Sequence, residues 1–172
     1  PYWLPVIWAG LIGTAVALYV ILDGFDLGLG ILFPTATRED ERDQMMNSVA
    51  PFWDGNETWL VLGGAGLFVA FPQAYAIIMP ALYIPVIVML LALIFRGVAF
   101  EFRWPAKPAH AAWDLAFWSG STIAAFAQGL ILGGLFLLYA VQLYRDYSDQ
   151  LARATFRYSI YYLAALFSAL LI

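Results

Sequence analysis

WLPVIWAGLIGTAVALYVIL, residues 3–22, contains no ionisable acid or base. As a helix this stretch would span about 30 Å, the thickness of bilayer hydrocarbon. No Lys or Arg precedes Arg38, so the basic start of a secretory signal is missing and the segment reads as a retained spanning helix. The rest of the composition agrees. Hydrophobic residues make up 63% of the 172 and charged residues 12%, with a mean hydropathy of +0.79, whereas soluble domains carry about 25% charge. Backbone polar groups in lipid must be satisfied within the chain, which favours helices. The fold class is therefore all-α: a polytopic transmembrane helix bundle of about four full spans plus a truncated fifth. Net charge is −4 with no basic cluster, which argues against nucleic acid as a partner. Zero cysteines exclude disulfides, thiolate metal sites and iron–sulfur clusters.

The first span ends in DGFDLGLG, residues 23–30, which places Asp23 and Asp26 three residues apart on one helical face among Gly24, Gly28 and Gly30. Small residues allow close helix contact. Asp23 reads equally as an interfacial cap or a functional acid; Asp26, set among apolar neighbours, reads as buried and functional. Pro34 then stops the helix. Residues 35–48 hold six charges of mixed sign and read as a solvated polar connection, with Met45 and Met46 on the apolar face of a short interfacial helix rather than as haem ligands.

WDGNETW, residues 53–59, brings Asp54 and Glu57 into a second expected span from about 49 to 71. An acid in a spanning helix costs about 2.5–3.5 kcal/mol even on insertion scales, so such residues usually face a cavity or a partner and mark an ion or proton path. Two readings stay open: acids in the first turn of a helix near the headgroups, flanked by belt tryptophans, or carboxylates that face the interior and carry protons. A third span is expected over about 75–95, with a kink or irregular turn at Pro80 and Pro85. Arg96 closes it, either snorkelling to the interface or pairing with a carboxylate of another helix; Glu101 and Arg103 read as ordinary interfacial charges. His110, the single histidine, sits in the loop WPAKPAH, where a haem ligand is not expected. A fourth span is expected over about 113–139, with Ser119, Ser121, Thr122 and Gln128 as interhelical hydrogen-bonding points. A charged connection at 144–157 leads to some fifteen apolar residues, about 22 Å of helix and too short to span. Basic residues in alternating loops, Arg38, Arg42, Arg96, Arg103 and Lys107 against Arg145, Arg153 and Arg157, orient the N-terminus outside.

The ordered series LDGFDLGLGILFP, NSVAPFWDGNETWLVLGGAGLFVAFP, IFRGVAFEFR and WDLAFWSGSTIAAFAQG resembles the N-terminal half of subunit II of cytochrome bd-type quinol oxidases, the cyanide-insensitive branch in particular, over residues 1–130. The resemblance implies a heterodimer in the bacterial cytoplasmic (inner) membrane with a periplasmic N-terminus. In it a partner, subunit I, ligates haems b and d (or b only) and binds quinol, while this chain ligates no cofactor or metal and contacts membrane lipids. It also implies that Asp26 and Asp54 are intramembrane acids and that Arg96 is the arginine at the end of the third helix, while Glu57 sits where some members have an uncharged residue. With Asp23 added from its place beside Asp26, these four acids are the expected proton-transfer residues and Arg96 their expected charge partner. Residues 131–172 instead resemble the C-terminal helices of protohaem IX farnesyltransferase and are expected to be of divergent origin. The competing expectations are a non-catalytic fragment or fusion product, an ion or proton transporter, and, from the tail alone, a prenyltransferase.

Overall fold

The computed structural model describes residues 3–145. Among these, α1 (Trp3–Leu32) is followed by a 3-10 turn (Phe33–Thr35), α2 (Glu39–Val49), α3 (Trp53–Ala70), α4 (Pro72–Ala81), α5 (Tyr83–Phe102) and α6 (Ala111–Arg145), with no strands. Pro34 falls in the 3-10 turn that ends α1, as its missing N–H and fixed φ require. Of the kink or irregular turn expected near Pro80, the structure has the turn: α4 stops at Ala81, Leu82 turns, and α5 starts afresh. Pro85 then occupies the first turn of α5, where its absent donor leaves no carbonyl unpaired.

Among the described residues, three helical segments are long and apolar enough to cross a membrane: Trp3–Thr35, Tyr83–Phe102 and Ala111–Gly134. Four full spans were expected. The second expected span exists as α3, but its first two turns hold Asp54, Asn56, Glu57 and Thr58, so its polarity keeps it out of that set. The expected charged connection at 144–157 and the truncated fifth helix fall almost wholly outside the described residues.

The polar connection at 35–48 is not a solvated loop. Its acids Glu39, Asp40 and Glu41 fill the first turn of α2, where they complement the helix dipole, and the Glu41 carboxylate accepts a hydrogen bond from the Arg38 N–H at 3.3 Å. Met46 is fully buried, a step beyond the interfacial face expected of it. It packs with Phe33, Val49, Ala99, Phe100 and Phe117 in one apolar cluster, while Leu27, Met89, Ala92, Leu93, Ala124 and Ala127 make a second. Aromatic rings tie the first cluster together: Trp53 stacks on Phe100, and Phe117 meets both Phe33 and Phe100 edge-on, each at 5.1 Å between centroids.

Lipid gives no hydrophobic drive for helix association, so close backbone approach and interhelical polar contacts hold these spans together. The most extensive helix contact is α5 against α6, then α1 against α3 and α6. Gly120 marks the tightest point, since a Cβ there would lie 2.7 Å from the Ala92 carbonyl oxygen and 3.0 Å from the Arg96 nitrogen. Backbone cannot yield as a side-chain tip can. At Gly30 an added Cβ would collide with the Ser121 side chain, and at Gly97 it would meet the Trp53 ring at 3.2 Å. Replacing Gly120 by Val is therefore expected to force α5 from α6 and cost about 1–3 kcal/mol. Gly129→Ala, where nothing lies within 4 Å, should be neutral or stabilise by up to about 1 kcal/mol; thermal unfolding of the detergent-solubilised protein compares the two.

Candidate functional site: a buried arginine among three carboxylates

Arg96 lies six residues before the end of α5, and its side chain is fully buried. Helix α5 continues past the expected end at Phe95, so Arg96 is interior and does not snorkel. Three carboxylates converge on it. Nη1 donates to Glu57 Oε1 at 2.5 Å and to Asp23 Oδ1 at 3.3 Å, and Nη2 is 3.6 Å from Asp26 Oδ2. Asp23 and Asp26 are buried, and the Glu57 side chain keeps about a fifth of its surface exposed. Asn56 Nδ2 donates to Asp26 Oδ2 at 2.8 Å, so the amide of WDGNETW serves the acid of DGFD. Gly120 controls this geometry, because the backbone of α6 passes directly behind the Arg96 nitrogen.

Four of the five singled-out residues, Asp23, Asp26, Glu57 and Arg96, are thus brought together. Asp54 is not. It lies exposed in the first turn of α3 and makes no ion pair among the described residues; its carbonyl accepts the Thr58 hydroxyl at 2.9 Å. One guanidinium faces three carboxyl groups in a confined, poorly solvated space. Paired charges about 4 Å apart interact by about 4 kcal/mol at an effective dielectric near 20, so surplus anionic charge is costly here and the cluster has a strong tendency to bind a compensating cation or proton.

A second charge cluster closes the end of the bundle, and the expectation that Arg103 is an ordinary interfacial charge is overturned. Its side chain is fully buried, and it binds Asp114 Oδ1 through Nε at 2.6 Å, Asp43 Oδ1 at 2.5 Å and Glu39 Oε1 at 2.8 Å. Lys107 adds a 2.5 Å contact to Asp43, Arg42 one of 3.1 Å to Asp114, and His110 Nε2 lies 3.0 Å from Glu39 Oε2. Glu101 stays exposed as expected. The cluster joins α2 to the α5–α6 connection. Arg96 and Arg103 therefore leave the count of loop bases on which the orientation argument rested.

Sequence reasoning missed Arg103, Asp43, Glu39 and Asp114 as a unit. The available signal was the seven-residue spacing of Arg96 and Arg103, which puts both on one face of a continuous helix. Glu39, His110 and Asp114 offer ligand atoms within 4.8 Å of one another, but Arg42, Arg103 and Lys107 already match their charge with that of Asp43, which leaves little attraction for a divalent cation. His110 is committed to Glu39 at the rim, and Met46 and Met89 lie in apolar clusters.

The class defined by this fold and site is a polytopic helical membrane protein with an internal arginine–carboxylate cluster. Residues 4–172 match the family of cytochrome bd terminal oxidase subunit II, and the chain belongs to that family. It is 40% identical over 139 residues to the cytochrome bd ubiquinol oxidase subunit 2 of Bacillus subtilis, covering 76% of this chain and 39% of that protein. Identity to the cytochrome bd-I ubiquinol oxidase subunit 2 of Escherichia coli K12 is 37% over 135 residues, 77% of this chain and 36% of the relative. The chain thus spans well under half the length of these relatives. A 59-residue stretch is 58% identical to the protoheme IX farnesyltransferase of Paraburkholderia xenovorans, 34% of this chain and 20% of that enzyme.

Removing Arg96 would leave its acids without a counter-charge, and breaking a buried pair from one side costs about 3–5 kcal/mol. Arg96→Met is expected to lower the thermal midpoint sharply, and combining it with Asp23→Asn, Asp26→Asn and Glu57→Gln should recover most of the loss.

The outer cluster has a distinct pH signature. Burial pushes Glu39 and Asp43 up, but the opposing contacts outweigh it. His110, Arg103 and Lys107 bring Glu39 below its ordinary 4.5, and Lys107 and Arg103 bring Asp43 below its ordinary 3.8. Depressed carboxyl values stabilise the fold above the unfolded-state values, and that stability is lost as pH falls through the folded ones. The melting temperature should therefore lose this contribution below about pH 4, and the acid-side drop should shrink in Asp43→Asn.

Proposed function

We propose that this chain is part of subunit II of a membrane quinol:oxygen oxidoreductase of cytochrome bd type, and that it supports a haem-bearing subunit I and handles protons bound for the oxygen-reducing site. The family membership supports this reading, and the single observation that carries it is the Arg96 cluster, with three carboxyl groups around one buried guanidinium. The haems and the quinol would lie with the partner, in the bacterial inner membrane, and supply the electrons that reduce dioxygen.

Reduction of one dioxygen to two waters consumes four protons at a site shielded from solvent. The chain's own residues are arranged to hold some of them. Glu57 is the most exposed acid of the cluster and would exchange protons with the outside. Arg96 would stabilise whichever neighbouring carboxylate is ionised, so that a proton taken up at Glu57 is redistributed to Asp26 or Asp23 without a net charge moving far. Asn56, donating to Asp26, would keep that acid oriented toward Arg96. Asp54 would serve at the exposed face of α3, where a partner subunit would cover it and lower the cost of an acid at that depth.

We further propose that residues 1–130 form the oxidase-type bundle and that residues 131–172 are of divergent origin. The farnesyltransferase similarity favours a second origin in the chain, while its 59 residues exceed that tail and the oxidase family match runs through residue 172. The N-terminus would be periplasmic.

In the complete oxidase, Glu57→Gln is expected to slow quinol-driven oxygen uptake several-fold while the haem spectra stay unchanged. Asp54→Asn should behave likewise, and undiminished turnover with normal spectra would remove either residue from the path.

A further inference from the structure

The polar side chains of the α1, α5 and α6 seam form a ladder, and the reading above accounts for only part of it. On α6, Asp114, Ser121 and Gln128 recur every seven residues, and on α5 so do Arg96 and Arg103. A seven-residue step is two turns, about 10 Å along the axis, and returns to nearly the same face. The helices are antiparallel, so the rungs match. Arg103 meets Asp114 at the rim. Arg96 lies behind Gly120, next to Ser121, and meets Asp23. Furthest in, Gln128 Nε2 donates to Tyr19 Oη at 2.5 Å.

Tyr19 is 4% exposed and sits close to the middle of α1, one turn before Asp23 and on the same face. Its hydrogen-bond inventory is informative. A phenol has one O–H to give and accepts through its oxygen, whereas the Gln128 amide nitrogen only donates. Gln128 therefore occupies the acceptor side of Tyr19 and leaves its proton free to be donated. An acceptor stands one turn away: Asp23 Oδ2 is buried and, among the described residues, has no hydrogen-bond partner, although Asp23 Oδ1 is engaged by Arg96. A buried acceptor without a partner is rare and calls for an explanation.

We propose that Tyr19 is a relay residue that carries protons between Asp23 and the middle of the α1–α6 seam, with Gln128 as the positioning residue that holds its hydroxyl in the donating orientation. The proton balance is simple. Tyr19 passes its hydroxyl proton to the ionised Asp23 as its oxygen takes one from a protonated water on the inner side, which is left as neutral water, or the reverse, so the phenol is neutral before and after. This inference rests on the proton-handling reading of the Arg96 cluster and extends it inward by one rung.

The test uses the complete oxidase carrying Tyr19→Phe, which keeps the ring and removes the hydroxyl, alongside Gln128→Leu and Glu57→Gln. The expected result is normal assembly and haem spectra for Tyr19→Phe, a several-fold fall in kcat with quinol KM unchanged, and a larger solvent deuterium isotope effect. Gln128→Leu should show the same pattern more weakly. The carboxyl band of Asp23 in redox-difference infrared spectra should shift in both, a change that simple loosening of the helix contact would not produce. Wild-type rates and isotope effects in both variants, with Glu57→Gln slowed, would overturn the relay and leave the cluster reading standing. If Glu57→Gln is silent as well, the cluster reading fails and takes the relay with it. If Tyr19→Phe does not assemble, Gln128→Leu decides on the same readouts, and failure of both to assemble would make the pair structural and overturn the proposal.

Discussion

A guanidinium buried in a membrane bundle cannot stand alone, and three carboxyl groups around one guanidinium cannot all be ionised cheaply. The structure is built around that mismatch. Arg96 must have anionic partners because its side chain is wholly enclosed, and it draws them from two other helices, Asp23 and Asp26 of α1 and Glu57 of α3. Each of those acids would be disfavoured in its own helix. Together they fix the rotation of α1 and α3 against α5, since turning any one helix would strand a charge in low dielectric.

The packing around the cluster follows from the same demand for proximity. Gly120 lets α6 pass against the backbone at Arg96, and Gly97, one residue on, makes room for the ring of Trp53. Trp53 then stacks on Phe100 and positions the start of α3, from which Asn56 and Glu57 project toward Asp26 and Arg96. Small residues on one side of α5 and α6 and large rings on the other are two parts of one arrangement. At the bundle end Arg103 repeats the pattern in a wetter setting, where its partners Glu39 and Asp43 are partly exposed. The two arginines differ in kind: the outer one has enough cationic company in Lys107 and Arg42 to balance its acids, and the inner one does not. That imbalance leaves the inner cluster with more carboxyl groups than cationic ones.

Much of this was legible in the amino-acid order. Residues 3–22 could only be a spanning helix, Pro34 marked a real end, Pro80 pointed to the irregularity found at Leu82, and the acids of DGFD and WDGNETW were singled out because charge in an apolar run is costly. Elsewhere the sequence offered only local information. Arg103 read as interfacial because it follows the apolar run, yet it is covered by α2, a helix whose mixed charges looked like a solvated loop. Asp54 read on a par with Glu57, but three residues on a helix separate an inward position from an exposed one, and periodicity alone does not set the phase. The second expected span is present as α3, and its polar first turns carry part of the Arg96 cluster.

The sequence by itself determined that this is a helical membrane protein, where most of its helices begin and end, and which side chains are too costly to be incidental, because hydropathy, proline geometry and the penalty for charge in hydrocarbon act locally along the chain. Only the tertiary structure decided which acids share Arg96, that Arg103 is buried, and that Tyr19 meets Gln128 across a sequence separation of 109 residues. Those outcomes depend on the rotation and close approach of helices distant in sequence, set by contacts such as Gly120 against Ala92, and no local pattern encodes them.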